Sequence, residues 1–195
     1  MSTLIERLDK WLAENRSEYY QKLNSGANDE DLAELEEIID APLPDDLKSL
    51  LKWRNGQDGR NFKSLYYNYM LMDTEEIAES VEINNSMLEN EEFDKANWWN
   101  SQWIPFLQNG AGDYYCIDLA GSFGGTKGQV IEYNHDYEGR DIQHPSFDAW
   151  LQTLVEGCEQ GLLEYDDTGM QPNSDEFDTL FNRINPGYPI SHEAG

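Results

Sequence analysis

Apolar residues recur every three or four positions through much of the first 90 residues, which is the spacing of one face of an α-helix. The pattern predicts four helices, over about 4–23, 32–39, 44–55 and 73–88. Local residues support these bounds: Pro44 suits a first helical turn, Asp73 suits an N-cap, and Gly56 suits a left-handed cap after the last turn. Each helix therefore has one face available for a core.

Continuous and alternating apolar runs predict four β-strands, over 62–72, 103–108, 114–119 and 129–133. Asn109-Gly110 predicts a hairpin between the second and third of these strands. The polar stretches 89–102 and 134–144 predict a loop and a turn region. A clear helix then begins at the Ser146 N-cap and ends at Gly161.

Helices followed by an antiparallel meander and a closing helix predict an α+β fold, with a single mainly antiparallel sheet flanked by helices packed on one face. We divide the chain into an N-terminal helix (1–27), a central domain (28–160) and a C-terminal extension (161–195). The extension contains one weaker helical stretch near 175–181, and we expect it to pack on the domain or to be partly flexible. A chain of 195 residues can bury one sizeable core.

The charge of the chain is strongly negative, with 39 acidic and 13 basic residues and a net charge of −26. Residues 64–195 carry 25 Asp/Glu and only four Lys/Arg, whereas residues 1–63 carry 14 and nine. This imbalance argues against nucleic acid and anionic membranes as partners, because a protein that binds either one needs lysine and arginine side chains to displace its counterions. It favours either a basic protein partner or solubility alone.

The two cysteines, Cys116 and Cys158, fall on predicted apolar faces, and no Cys/His spacing suggests a zinc site. The first residues open an amphipathic helix rather than the apolar core of a signal peptide, and no run is long enough to span a membrane. We therefore predict a cytoplasmic protein with no metal and no cofactor.

Two stretches contain residue types found in catalytic sites. Gly121 to Gly128 is rich in glycine but lacks the Gly-Lys-[Ser/Thr] order of a phosphate-binding loop, and it joins two strands. His135-Asp136, with Asp113 and Asp118 in the same sheet region, contains metal-ligand and acid–base residue types. Adjacent strand residues point to opposite faces, so we do not expect His135 and Asp136 to coordinate one metal ion together. No nucleophile motif is present, and no enzyme is predicted.

The candidate partner-binding residues are acidic residues near loops and strand ends, together with an adjacent tryptophan pair. Because two neighbours in a polar stretch cannot both point inward easily, one tryptophan of the pair is expected either at an interface or as a loop anchor. For each carboxylate, a solvated surface position is the alternative. The set is Asp58, Asp113, Asp118, Asp136, Glu138, Asp141, Trp98 and Trp99. The other tryptophans fall on apolar faces, which favours core positions over a carbohydrate site.

Three stretches, in order along the chain, resemble the SUKH superfamily, which includes the yeast cell-wall assembly regulator and many bacterial immunity proteins. They are Ala41 to Gly56, with its Pro-Leu-Pro-Asp-Asp helix start; Trp103 to Leu119, with Trp-Ile-Pro; and Gly128 to Asp136, ending in His-Asp. The resemblance covers about residues 28–160 and implies a SUKH-like α+β fold without catalytic activity.

Bacterial members of this superfamily are typically immunity proteins that bind and neutralise a toxin, often a nuclease. Nucleases are usually basic because they approach phosphate, and an acidic inhibitor would match that field. We therefore predict an acidic immunity-type protein that neutralises a cognate basic toxin by direct binding. The alternative is a regulatory scaffold of cell-wall or envelope synthesis, by similarity to the fungal branch. A third hypothesis is a small hydrolase that uses His135 and Asp136.

Overall fold

The computed structural model describes residues 3–166 and 169–195. Seven helices form in this part of the chain: α1 (Thr3–Asn15), α2 (Ser17–Tyr20), α3 (Asp29–Ile38), α4 (Asp45–Trp53), α5 (Thr74–Glu89), α6 (Phe147–Glu159) and α7 (Asp175–Ile184). The strands are β1 (Met70–Leu71), β2 (Trp103–Gln108), β3 (Tyr114–Asp118), β4 (Gln129–Tyr133), β5 (Arg140–His144), β6 (Leu163–Tyr165) and β7 (Met170–Pro172). Strands β1 to β5 form one antiparallel sheet in sequence order, and β6 pairs with β7 separately. The predicted α+β fold with one main antiparallel sheet is confirmed.

The two faces of the main sheet are buried against different groups of residues. Successive strand residues point to opposite faces. On one face, Ile117 and Val130 join a main core with apolar residues of α1, α4 and α6. On the other face lies a smaller aromatic cluster, which consists of Trp99, Trp103, Cys116, Ile131 and Tyr133. Because burial of a large apolar side chain contributes on the order of 1.5–3 kcal/mol, the more extensive main core contributes most of the stability.

Helix α5 contributes to both faces. Ile77 and Val81 lie in the main core, while Leu88 packs against the aromatic cluster. A helix of 16 residues is about 24 Å long, which is enough to reach past one edge of the core. The expectation that the helices pack on one face therefore describes the main core but not the end of α5. Neither α5 nor any other helix in the described residues is long and apolar enough to cross a membrane.

The predicted N-terminal helix is interrupted at Arg16, whose backbone is not helical (φ −131°, ψ 52°). Arg16 is buried, and both of its terminal guanidinium nitrogens donate to the Ser64 carbonyl at 3.0 Å. The guanidinium carbon also lies 4.3 Å from the centre of the Tyr19 ring. A buried charge needs such partners, and the inward turn of Arg16 separates α1 from α2.

Within the main sheet, the structure differs from the strand predictions in two places. The run 62–72 is a strand only at its end, because Tyr66 to Tyr69 form a tight turn with a left-handed backbone at Tyr67 (φ 48°). The polar region 134–144 contains β5, in which Arg140, Ile142 and His144 are buried. Two of these three buried side chains are polar. The alternation of buried and partly exposed positions along β5 therefore does not show as an alternation of apolar and polar residues in the sequence.

The described residues of the C-terminal extension pack on the rest of the protein. Helix α7 lies against α6. Beyond α7, Ile190 exchanges backbone hydrogen bonds of 2.9 and 3.0 Å with Ile142, and Ala194 donates to the Glu138 carbonyl at 2.9 Å. The terminal segment thus runs beside β5 and pairs some of the backbone groups that an edge strand would otherwise expose.

Candidate functional site

A cleft of about 410 Å³ opens beside the aromatic cluster, between the second half of α5 and the neighbouring ends of β3 and β4. We term it the aromatic cleft. Ile83 lies at its edge with 52% of its surface exposed. The lining comprises four aromatic residues (Phe93, Trp98, Tyr114, Tyr133), three residues of α5 (Ile83, Asn84, Met87), two acidic residues (Glu92, Asp94), Gly112 and His135.

Two tyrosines form the wall of the cleft on the sheet side. Tyr114 and Tyr133 lie directly opposite each other in the β3–β4 register, and their rings stack with centroids 5.8 Å apart at 19°. The Tyr133 hydroxyl donates to Asn84 Oδ1 at 3.4 Å, and its ring meets Trp99 edge to face at 5.1 Å. These contacts order the rings in the free protein, which lowers the entropic cost of binding a partner.

Trp98 is held from behind by Arg140, which is fully buried. The guanidinium donates to the Trp98 carbonyl from Nε (3.2 Å) and Nη2 (2.8 Å). Its carbon lies 4.9 Å from the centre of the Trp98 ring and 4.7 Å from that of Tyr133. Nη1 donates to the carbonyls of Tyr137 and Gly139, both at 2.7 Å. Burial lowers the pKa of Arg140, while carbonyls and ring faces stabilise its charge.

The predicted tryptophan pair divides between two positions. Trp99 is 2% exposed, donates from its indole nitrogen to Asn85 Oδ1 at 2.9 Å, and packs edge to face on Trp103 with centroids 5.7 Å apart. Trp98 is half-buried and faces the cleft. Trp99 is thus the anchor of this loop, and only Trp98 remains available to a partner.

At the rim of the cleft, His135 lies between two carboxylates. Its Nδ1 is 2.8 Å from Asp113 Oδ1 and its Nε2 is 3.1 Å from Asp136 Oδ2. The hydrogen bond to Asp113 raises the pKa of His135, and the charge of Asp136 adds to this. Burial raises the pKa of Asp113, but hydrogen bonds from His135 and Asn109 outweigh it and leave the pKa below its usual value.

The expectation that the side chains of His135 and Asp136 point to opposite faces was wrong. It assumed that β4 continues through these residues, but the strand ends at Tyr133. The Asp136 amide donates to Asn134 Oδ1 at 3.1 Å, which turns the chain and brings the two neighbouring side chains together. Among the described residues, no group of three or more histidine, cysteine or carboxylate side chains is arranged to hold a metal ion.

Asp118 lies at the end of β3 and is fully buried. Its carboxylate accepts from the backbone amides of Ala120, Gly121 and Ser122 at 2.8, 3.1 and 2.6 Å, and from Gln129 Nε2 at 2.8 Å. These four bonds order the glycine-rich turn between β3 and β4. Asp118 therefore has no surface to offer a partner in this structure.

The remaining predicted carboxylates lie outside the cleft. Asp58 accepts from the Arg60 amide at 3.0 Å in a turn near β1. Asp141 lies opposite Glu132 in the β4–β5 register. Glu138 is paired with Lys95 at 2.9 Å, close to the base of Trp98. The structure therefore places Trp98 in the lining of the cleft and Asp113 and Asp136 beside it, on either side of the lining residue His135. The other predicted residues lie elsewhere.

Several residues of the cleft were missed by the sequence reasoning. Tyr114 and Tyr133 were assigned to strands as ordinary apolar positions, and Glu92 and Asp94 to a polar loop. The sequence did offer a signal that Arg140 has a specific role, because it is one of only four basic residues between 64 and 195. A lone cation in such an acidic region needs specific partners, and its partners here are the rings of the cleft.

The chain matches known proteins over a range that contains the whole cleft. A model of the SMI1 / KNR4 family (SUKH-1) matches residues 26–153. The Neurospora crassa "Glucan synthesis regulatory protein" is 25% identical over 230 residues, covering 94% of this chain and 42% of that protein. The Schizosaccharomyces pombe "Cell wall biosynthesis/cell cycle regulator smi1" is 27% identical over 190 residues, covering 85% and 38%. A Debaryomyces hansenii "KNR4/SMI1 homolog 2" is 24% identical over 216 residues, covering 85% and 37%. The chain thus spans about two fifths of the length of these relatives.

Proposed function

Because this chain belongs to the SMI1 / KNR4 family (SUKH-1), we propose that it is a non-catalytic protein-binding domain that regulates cell-wall synthesis. The observation that carries the proposal is the alignment of 94% of the chain with a relative named as a glucan synthesis regulator. The resemblance to the SUKH superfamily is confirmed by the family match. Of the two functions expected from the sequence, the regulatory scaffold has more support from the named relatives than the immunity protein.

The aromatic cleft is our candidate for the surface that contacts a regulated partner. Its aromatic rings offer preformed apolar area, and its acidic rim supplies charge that steers a basic protein towards it. The strongly negative charge of residues 64–195 acts over a longer range in the same direction. A domain with these features regulates by holding a partner, which requires no chemical step.

A domain replacement in Schizosaccharomyces pombe tests the proposed function. The region of the smi1 relative that aligns with this chain is exchanged for residues 1–195. We expect cells with the chimaera to recover resistance to wall-digesting enzymes and normal incorporation of glucan, relative to cells with the region deleted. A chimaera that accumulates normally but behaves like the deletion would contradict the proposal.

The immunity function remains as a second candidate because of one observation, the excess of 25 acidic over four basic residues between 64 and 195. Such a field suits the inhibition of a basic nuclease. Co-expression with any toxin domain encoded beside the gene tests it. Survival of cells that the toxin alone kills, together with failure of the chimaera, would favour immunity over wall regulation.

A further inference from the structure

We propose that the aromatic cleft binds an arginine side chain from a basic segment of the partner protein. The inference deepens the proposed function, on which it rests for the existence of a protein partner. The ligand chemistry is argued from the cleft alone. Three features carry it: the partly exposed rings of Trp98 and Tyr114, two carboxylates in the lining of the cleft, and a guanidinium already packed on the Trp98 ring from the buried side.

The rings of the cleft are arranged before a ligand arrives. Tyr114 and Tyr133 stack at 5.8 Å, and Trp98 is fixed through its carbonyl by two guanidinium hydrogen bonds of 3.2 and 2.8 Å. A cation within about 6 Å of such a ring centre is attracted by the negative face of the ring. The cleft volume of about 410 Å³ lies within the range of small-ligand sites. A long, flat side chain can therefore enter without rearrangement of the walls.

The charge of the cleft selects a cation. Glu92 and Asp94 line it, and none of its lining residues is lysine or arginine. His135, whose pKa is raised, also lines it, but its ring lies between the carboxylates of Asp113 and Asp136. The nearby Lys95 ammonium is paired with Glu138 at 2.9 Å and is not directed at the cleft wall. An acidic or phosphorylated segment would bring a like charge next to Glu92 and Asp94, which is costly on a partly desolvated surface.

Arginine fits this cleft better than lysine or a purely apolar side chain. Arg140 shows that the Trp98 and Tyr133 rings of this molecule pack against a guanidinium, at 4.9 and 4.7 Å. A planar guanidinium stacks on rings and binds carboxylates in two-point contacts, whereas an ammonium is compact and strongly hydrated. Arg140 itself repels a second cation from behind. The carboxylates of Glu92 and Asp94, which line the cleft, must therefore offset that repulsion. Substituting these two residues is the most direct test of the inference.

The test uses three nine-residue peptides of the same neutral sequence, with three positions occupied by arginine, lysine or citrulline. Fluorescence anisotropy gives the Kd of each for the full chain, at about 0.15 M salt to screen distant charges. We expect the arginine peptide to bind at least about threefold more tightly than the lysine peptide. We expect the citrulline peptide, which keeps the shape but lacks the charge, to bind at least about tenfold more weakly than the arginine peptide.

Two pairs of variants separate the cleft from the general field of the protein. Glu92→Gln with Asp94→Asn is matched by Glu14→Gln with Glu37→Gln, which removes the same charge from exposed positions of α1 and α3. Trp98→Leu is matched by Trp11→Leu, which removes a partly buried ring beside Tyr165, in the N-terminal helix region. We expect each cleft variant to weaken the arginine peptide by about tenfold and each control by less than about twofold.

Equal losses in the two charge pairs, or equal Kd values for arginine and lysine peptides, would overturn the inference. Thermal unfolding of each variant identifies a loss of binding that comes from misfolding. If Trp98→Leu or Trp11→Leu misfolds, the comparison of the Glu92/Asp94 variant with the Glu14/Glu37 variant tests the inference alone. Failure of the arginine site can be distinguished from failure of the proposed function. If the chimaera functions in cells but cleft substitutions do not change peptide binding, only the arginine site is refuted. A failed chimaera with cleft-dependent binding refutes the regulatory role alone.

Discussion

The two faces of the main sheet are formed by the same strands but differ in how completely they are buried. The main core is built from aliphatic and aromatic side chains of distant helices, and its residues Leu154, Val130 and Ile117 are fully buried. The aromatic cluster is smaller, and beyond it the sheet opens into a cleft with Trp98 half-buried and Ile83 about half exposed. The first face closes completely and stabilises the fold. The second face stops short of closure: the rings of Trp98 and Tyr114 remain partly accessible, and the buried ring of Tyr133 supports them from below.

Replacing Leu154 by alanine tests the role of the main core and should have the largest effect. Leu154 is fully buried in α6, so the change removes apolar contacts and leaves a cavity. We expect a loss of about 2–5 kcal/mol in the free energy of unfolding, measured by urea denaturation. A loss no larger than that of a cleft substitution would break the comparison between the faces.

The two histidines sharpen the comparison through their response to pH. His144, the last residue of β5, is buried against α7, and its Nδ1 lies 2.9 Å from Asn185 Oδ1. Burial lowers its pKa to about 4. The unfolded chain binds a proton near pH 6.5. The contribution of neutral His144 is therefore complete above pH 6.5 and is lost as the pH falls towards 4. We expect a decrease of at most about 3 kcal/mol over this window.

His135, at the rim of the cleft, should behave in the opposite sense. Its pKa is raised, so its pairing with Asp113 and Asp136 favours the folded state at low pH and weakens as the pH rises above 6.5. NMR titration of the imidazole protons checks both histidines directly. A His144 resonance that moves near pH 6.5, or a His135 resonance that moves below it, would contradict these assignments.

Trp98→Leu should change binding much more than stability. The side chain is half-buried and its main fixed contacts are the Arg140 guanidinium and neighbouring rings. We expect a loss of about 1–2 kcal/mol in the free energy of unfolding, below that of the main-core substitution. Denaturation in urea measures it beside the Leu154 variant. A loss as large as that of Leu154→Ala would mean that the cleft wall is part of the essential core.

Arg7→Gln should have the smallest effect. Arg7 donates to Glu159 from Nε at 2.9 Å and Nη2 at 2.5 Å, and this pair joins α1 to α6 on the surface. Both side chains are more than a third exposed, so solvent screens the interaction and about 0–1 kcal/mol is expected. Thermal unfolding at low and high salt measures it. A salt-insensitive loss above that range would indicate that the pair has a larger role in docking α1.

Local patterns predicted the elements that have strong periodicity. The face of α6, the Ser146 cap and the hairpin around Asn109-Gly110 were all found because each depends on residues a few positions apart. The break at Arg16 was missed, because its cause is the carbonyl of Ser64, 48 positions away. Strand β5 was missed because Arg140 and His144 occupy buried positions that apolar patterns assign to solvent.

The candidate site was predicted in part. Trp98, Asp113 and Asp136 were named from the sequence; Trp98 lines the cleft, and both carboxylates contact its lining residue His135. Asp118 and Trp99 were named with them but are buried by hydrogen bonds and packing. The two kinds of residue share their sequence context: the three Asp residues each lie within a few positions of an apolar run, and the two tryptophans are neighbours in one polar stretch. Which of them faces a cleft depends on where neighbouring amides and rings lie.

The sequence by itself determined the fold class, the family and the concentration of negative charge, because periodicity, ordered motifs and composition are properties of the chain alone. Only the tertiary structure decided that Tyr114 and Tyr133 stack, that Arg140 lies behind Trp98, and that Glu92 and Asp94 border the same space. These residues come from one loop and three strands. Their proximity follows from sheet register and from the path of one loop, and both are set by packing over the whole domain.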